Sequence, residues 1–430
     1  MTNFENPRDR QTVVPILDLQ SIKVISPVGR GAKGVVFLVK EDFSGELWAL
    51  KVILRDLVER KRKEIDDGSE YKRISFEQQV LSLFNHPLLP RLRGVLSTEK
   101  IVGYAIDYCP GRDLTCLRKQ QSEKMFSVDV IRFYAAELVI ALEHLHSLGI
   151  AYRDLKPENV MIQDNGHIML VDFDLSTKLP PKSGQSSPIS KSEPKPNSLR
   201  RKPFFSFRRR SNSGISPNYL SESSPISAPP EVDTSERSNS FVGTEEYVAP
   251  EMIEGHGHDF AVDWWSLGVV LYEMLYGVTP FRGINRKETF YRILTKAPEL
   301  VGEATPLRDL IGKLLIKDPK QRIRLEEIKG HDFFSGVHWD LILAISRPPY
   351  VPAIESGNNE GMDEIENVDV ELFVQGIFAS GEEKKQVDDE KKKDDDEKSN
   401  QNDEKNRNDG VWVKGLNNQP HHETEDFPDF

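Results

Sequence analysis

Tyr152-Arg153-Asp154-Leu155-Lys156-Pro157-Glu158-Asn159 gathers a carboxylate, an ammonium group and an amide in one short polar stretch. It fits the pattern H-R-D-L-x-x-x-N, with Tyr in place of His. Just before it, Ile131, Tyr134, Leu138, Leu142 and Leu145 recur at helical spacing. That spacing predicts a long amphipathic helix capped by Ser127 and ended by Gly149. On this reading Asp154 accepts a hydroxyl proton and orients the attacking oxygen, and Asn159 holds a magnesium ion. Lys156 neutralises charge on a transferred phosphoryl group. Such a transfer depends on positioning and electrostatics more than on covalent chemistry. An ordinary polar surface loop is the weaker reading.

Working outward, Asp172-Phe173-Asp174 follows a short strand predicted from Ile168 to Val171. Asp172 offers hard oxygen ligands of the kind magnesium takes, while Asp174 stands where the pattern usually has Gly. Ala249-Pro250-Glu251 completes the set downstream. Upstream, Gly29-Arg30-Gly31-Ala32-Lys33-Gly34-Val35-Val36 fits G-x-G-x-x-G-x-V, and Val28 precedes it. Glycines there let backbone approach phosphates closely. Alone the loop could be a plain hairpin or a dinucleotide-binding turn. A dinucleotide turn opens into a helix, however, whereas here a β-branched run follows. Lys51 then lies on the predicted strand from Leu47 to Ile53, and Glu77 on a helical run with Phe76, Val80, Leu83 and Phe84. Viewed singly, Lys51 is an ordinary strand lysine and Glu77 a solvated helix charge. The order of loop, lysine and glutamate makes them a phosphate-binding pair.

Strands thus crowd the beginning of the chain and helices the remainder, an α+β pattern in two lobes. Composition sets the borders. The chain has 430 residues, a formal net charge of -12 and 37% hydrophobic residues, enough for a core but low for a chain globular throughout. Globular composition starts near Ile22 and gives way at residues 180–237 to a basic Ser/Pro-rich insertion. It returns at Phe241 and lasts to about Pro352. From about 354 the chain is predicted largely disordered, with Lys, Asp and Glu dominant. The two cysteines, Cys109 and Cys116, exclude a disulfide framework or a cysteine-built zinc site and read as free thiols of a reducing compartment. With no apolar run near the ~18 residues a membrane span needs, and a polar N-terminus, a cytoplasmic location is expected.

The ordered motifs from about Ile22 to Phe334 resemble the AGC group of eukaryotic protein kinases. The Asp172-Phe173-Asp174 variant and the long insertion before Gly243 resemble its plant AGC VIII class. The stretches Tyr104 to Gly111 and Trp412 to Asn417 are similar to one stress-signalling plant member of that class. The resemblance implies a bilobal fold with a small lobe over 22–108, a large lobe over 109–334, an N-terminal extension over 1–21 and a C-terminal extension over 335–430. ATP and magnesium would bind between the lobes, with phosphate passing to Ser or Thr of protein substrates. Lys156-Pro157-Glu158 is the Ser/Thr form of the loop. Ile106 would be the gatekeeper, the backbone of Asp107 and Cys109 would meet adenine, and Asp113 would lie near ribose. Thr244 would assist Asp154, Glu251 would clamp Arg322, and Asp263 would brace the catalytic loop. Asp113, Glu158 and Glu273 match positions that bind substrate arginines, which implies Arg upstream of the target residue. Ser240 sits at the activation-loop phosphorylation position, with Arg237 three residues before it and Arg153 a candidate partner for the phosphate. Phe427 and Phe430 form a terminal F-x-x-F that would dock on the small lobe or on an upstream phosphoinositide-dependent kinase.

The insertion interleaves basic and aromatic residues from Arg200 to Arg210, a candidate nuclear address or anionic-lipid patch of the inner plasma-membrane face. An acidic chain with no nucleic-acid motif argues against nucleic acid as its ligand. The resemblance further implies stress and oxidative signalling upstream of a MAP kinase cascade. A non-catalytic pseudokinase scaffold is the alternative, suggested by Asp174 and opposed by the complete set Lys51, Glu77, Asp154, Asn159 and Asp172.

Overall fold

The computed structural model describes residues 14–31, 34–64, 69–179, 245–255, 257–346, 348–352 and 369–378. Ala32, Lys33, Ser240, Thr244, Phe427, Phe430 and the basic insertion lie outside the described residues.

Alternation of β-branched and aromatic residues builds the first layer. Strands β1 (Ile22–Arg30), β2 (Gly34–Glu41), β3 (Leu47–Leu54), β4 (Leu92–Ser97) and β5 (Ile101–Asp107) form one antiparallel sheet in the order β1-β2-β3-β5-β4. The turn between β2 and β3 closes where Gly45, at φ 71°, donates to the Glu41 carbonyl. Register pairs Val36 with Lys51 and Lys51 with Tyr104, so these three share one face. Phe37, Leu50 and Ala105 share the other. Helices α1 (Arg55–Glu64) and α2 (Ser69–Ser82) follow β3. Ile74 of α2 packs with Val58, Ile53 and Val102, which fixes α2 against the inner face.

The second layer is helical. It comprises α3 (Leu114–Lys119), α4 (Val128–Ser147), α5 (Pro250–Glu254), α6 (Ala261–Tyr276), α7 (Arg286–Thr295), α8 (Pro306–Leu314) and α9 (Leu325–Lys329). Ser127 caps α4 by accepting from the Val130 N–H, and Gly149 follows its end at φ 76°. The periodic stripe of α4 is buried throughout and shares one core with α6 and α8. Each fully buried Leu or Val in that core contributes roughly 1.5–3 kcal/mol. Arg322 and Glu251, both buried, join through two hydrogen bonds of 2.7 and 2.9 Å and tie α5 to the loop before α9. Short strands β6 (Ile150–Ala151) with β9 (Thr177–Lys178), and β7 (Val160–Ile162) with β8 (Ile168–Leu170), frame the loops between the layers.

The tail adds an element that composition did not suggest. Inside the stretch expected to be largely disordered, residues 370–378 form a helix, α10. Val370 and Val374 are buried, and Phe373, Ile377 and Phe378 pack beside them on Val35, Phe37, Val39, Leu50 and Val52. The Phe37 and Phe373 rings meet edge to face at 5.5 Å. Leu17 and Leu19, from the expected N-terminal extension, join the same cluster, and Ile16 bridges Val95. The physical reason is plain. The outer face of the sheet is apolar, and an apolar face left open to water needs a cover.

Candidate active site

The loop after β6 is held from beneath. Asp263, wholly buried on α6, accepts from the Tyr152 and Arg153 N–H groups at 2.9 and 2.7 Å and meets His146 Nε2 at 2.8 Å. Arg153 takes a positive φ of 69° and Asp172 one of 59°. Both are costly for such residues, and both flank the candidate chemistry. Tyr152 fills its position by packing on Phe173, centroids 5.2 Å apart, and donating to the Val171 carbonyl at 2.5 Å. It thereby links the two loops through structure.

Asp154 faces the cleft with Lys156 Nζ 3.1 Å from Oδ2, and Asn159 Nδ2 donates to its carbonyl and to Oδ2 at 2.9 and 3.0 Å. Burial raises the Asp154 carboxyl above its ordinary range, with Lys156 and Asn159 opposing. The Asn159 amide nitrogen is thus committed, which leaves the amide oxygen as the group a hard cation would take. Asp172, its side chain 38% exposed, accepts from Lys51 at Oδ1, 2.9 Å away. Burial would raise Asp172, but Lys51, helped by Lys156 and the Asp174 N–H, holds the carboxyl below its usual value. An amide oxygen and a carboxylate oxygen beside an open cleft are hard ligands of the kind a magnesium ion would take.

Lys51 Nζ lies 3.2 Å from Glu77 Oε1. Burial alone would lower Lys51, yet Asp172 and Glu77 carry it well above the normal range, so it is a cation. Burial raises Glu77, against the pull of Lys51. Glu77 also accepts from the Phe173 N–H at 3.1 Å and from the Tyr104 hydroxyl at 2.6 Å.

Around this centre, Val28, Gly29, Arg30, Gly31, Gly34, Val35 and Val36 form the β1–β2 turn region, where Gly31 N–H donates to the Gly34 carbonyl at 2.9 Å. Gly34 has a packing reason beyond any phosphate, because a Cβ there would sit 2.2 Å from the Val52 carbonyl oxygen. Asp107 ends β5 with its carboxylate bound by Arg93 Nε at 2.7 Å and the Arg91 N–H at 2.9 Å. Cys109 is buried, its sulfur 3.6 Å from that of Met169, and burial pushes its thiol pKa up. Asp113 caps α3 through the Cys116 N–H at 2.7 Å.

Glu158 and Glu273 lie in one acidic cluster with Tyr247, and the sequence reading missed the cation inside it. Arg118 Nη2 lies 2.8 Å from Glu273 Oε1, and Tyr247 donates to Glu273 Oε2 at 2.5 Å. Burial raises Glu273, Tyr247 and Arg118 oppose, and Glu158 adds to the rise. Glu158 Oε2 is buried with no hydrogen-bond partner. Basic residues at the end of a helix complement its dipole, so nothing in sequence marked Arg118 as special. Tyr104 was likewise silent: a strand tyrosine gives no hint of where its hydroxyl ends.

A protein kinase domain profile matches residues 22–193 and 229–334. The chain is 59% identical over 417 residues to "Serine/threonine-protein kinase OXI1" of Arabidopsis thaliana, covering 96% of this chain and 97% of that protein. It is 43% identical to "Serine/threonine-protein kinase UCN" of the same plant, over 80% of this chain and 87% of the relative. "Phototropin-2" of Oryza sativa subsp. japonica is 41% identical over 77% of this chain but only 34% of its own length. With the bilobal α+β fold and the cleft just described, these matches place the chain in the protein kinase family, among the serine/threonine kinases of the AGC VIII class.

Proposed function

We propose that the chain transfers the γ-phosphate of magnesium-bound ATP to Ser or Thr hydroxyls of proteins that carry Arg upstream of the target. The convergence of Lys51, Asp154, Lys156, Asn159 and Asp172 on one cleft carries this reading. Lys51 pairs with the phosphates, and Glu77 holds it extended. The protein hydroxyl gives its proton to Asp154 as its oxygen attacks, and Lys156 neutralises charge on the transferred group. Thr244 assists Asp154. Magnesium, held by Asp172 and Asn159, would supply neutralisation of the phosphates.

Arg-direction draws support from the unpartnered Glu158 oxygen, since a buried acceptor without a donor suits an incoming guanidinium. Asp113 and Glu273 complete the acidic set. Activation would follow phosphorylation of Ser240. Lys72, Arg73 and Arg153 line a cavity of about 360 Å³ beside Asp174 and Leu175, and its charge suits a phosphate. Phe427 and Phe430 would recruit an upstream phosphoinositide-dependent kinase. The protein would act in the cytoplasm, with the basic insertion directing it to the nucleus or to anionic lipid, in oxidative-stress signalling upstream of a MAP kinase cascade.

The test is transfer of labelled γ-phosphate to matched peptides with and without upstream Arg, after stoichiometric phosphorylation of Ser240. Wild type should prefer the Arg peptide, and Glu158→Gln should shrink that preference while sparing the Arg-free peptide. Silence toward every peptide would overturn the catalytic reading. Equal rates on both peptides would remove the Arg preference alone.

A further inference from the structure

Glu77 is 1% exposed, and a carboxylate so far from water needs several donors to stay charged. Its best-known partner is not dedicated to it. Lys51 Nζ sits closer to Asp172, at 2.9 Å, than to Glu77, at 3.2 and 3.5 Å. In the reaction proposed above the same ammonium must also face phosphate. The Phe173 N–H, at 3.1 Å, belongs to a loop flanked by the strained Asp172. The shortest bond to Glu77 comes instead from the Tyr104 hydroxyl, at 2.6 Å.

Tyr104 is well placed to serve as a fixed donor. It is 2% exposed and lies in the middle of β5 directly across from Lys51. The Lys51 ammonium rides 5.6 Å from its ring centroid. β5 is a central strand of the sheet, hydrogen-bonded on both sides, so this donor stays put when side chains in the cleft rearrange. A second tie runs parallel to it, since Gln78, the next residue of α2, donates to the Gly103 carbonyl at 3.1 Å.

We propose that Tyr104 is a positioning residue: its hydroxyl latches Glu77, and through it helix α2, to strand β5 independently of Lys51. The latch keeps α2 seated while Lys51 shifts between Asp172 and phosphate, so the small lobe is assembled before nucleotide arrives. The cost of leaving one buried acceptor short of a donor sets the scale, on the order of a tenfold change in the seating equilibrium. This rests on the kinase reading only where it invokes phosphate.

The experiment uses the full chain with Tyr104→Phe, which keeps the ring and removes the hydroxyl, and Tyr104→Met, which fills the space without either. Hydrogen exchange of residues 71–82 should quicken about tenfold in both, with α4 and α6 unchanged. In transfer assays kcat should fall about tenfold, the KM for ATP should rise, and the KM for peptide should hold. Lys51→Met alone should leave most α2 protection, whereas Lys51→Met with Tyr104→Phe should lose more than the two losses added. Wild-type exchange in Tyr104→Phe would overturn the proposal. So would full release of α2 by Lys51→Met alone, or loss of protection spread through α4 and α6. Because exchange needs no turnover, a loosened α2 in an inactive chain would keep the latch and sink the kinase reading instead.

Discussion

Val36, Lys51 and Tyr104 look inward from the five-stranded sheet, while Phe37, Leu50 and Ala105, one residue along on the same strands, look outward. The inner set meets charge: Glu77, Asp172 and the cleft. The outer set meets apolar side chains of α10 and Leu17. On the inner face, residue identity is dictated by charge, because Lys51 is the cation that Asp172 and Glu77 share. On the outer face, identity is dictated by volume, and many apolar residues would serve. One sheet therefore carries two kinds of information.

The sharpest way to break the comparison is to damage each side once and read both outputs. Asp154→Asn should lower kcat by roughly 10²–10⁴ while leaving the melting temperature within a degree or two of wild type, because the amide keeps shape and loses only the proton acceptor. Labelled-phosphate transfer at saturating ATP, beside calorimetry, measures both. Phe37→Ala should do the reverse. Phe37 is fully buried against Phe373, and its truncation should destabilise the small lobe by about 3–5 kcal/mol. The residual folded fraction should keep its kcat. If Phe37→Ala instead lowered kcat without changing denaturant unfolding, the outer face would belong to the catalytic apparatus and the division would fail.

That division also explains what was legible in sequence. Asp154, Asn159, Asp172, Lys51 and Glu77 were readable because each stands at a fixed spacing within a pattern, and the structure brings them together as the spacing requires. Strands β2, β3 and β8 were readable from their apolar, β-branched runs and α4 from periodicity, whereas β1, β4 and β5 drew no such reading. The helix α10 had its own signal: Val370, Phe373, Val374, Ile377 and Phe378 fall at i, i+3, i+4, i+7 and i+8. The acidic residues on both sides of it set the average composition, and a nine-residue apolar stripe does not survive that averaging. Tyr104 and Arg118 were hidden for a different reason. Their partners, Glu77 and Glu273, are distant in the chain, and no local rule says which carboxylate a tyrosine or arginine will find.

Acid should separate the faces as well. Burial raises the Asp154 carboxyl above its ordinary range, and Lys156 pulls it back. Only the ionised form accepts a proton, so activity should fall as pH drops through that raised value, earlier than for a solvent carboxylate. Lys156→Met removes one opposing influence and should move the acid limb of kcat further up, besides lowering its plateau. Over the same range α10 should stay seated, because its buried contacts with the sheet are apolar and the tie of Glu371 to Thr98 and Lys100, in the turn between β4 and β5, adds little beside them. Exchange of residues 370–378, corrected for intrinsic rates, would show it. Release of α10 along the acid limb of activity would mean that the two faces titrate together.

Arg30 stands where the faces meet, and the smallest expected effect is the most informative about their coupling. It belongs to the glycine-rich turn, yet its guanidinium lies 5.3 Å from the Phe378 ring centroid and donates to the Ile377 carbonyl at 3.4 Å. A cation over a ring at an accessible site contributes about 0.5–1 kcal/mol, and the long hydrogen bond adds little. Arg30→Ala should therefore raise the KM for ATP by no more than about fivefold, leave kcat alone, and quicken exchange at the C-terminal end of α10 by a similar factor. Arg30→Lys keeps the charge but loses the flat stacking surface, and should fall between the two. If the KM for ATP rises while α10 exchange stays at the wild-type rate, Arg30 acts on the nucleotide side alone and the tail helix is only a lid on the core. If both move together, the tail steadies the turn that covers the phosphates, and the face of the sheet without chemistry of its own helps to hold the chemistry of the other.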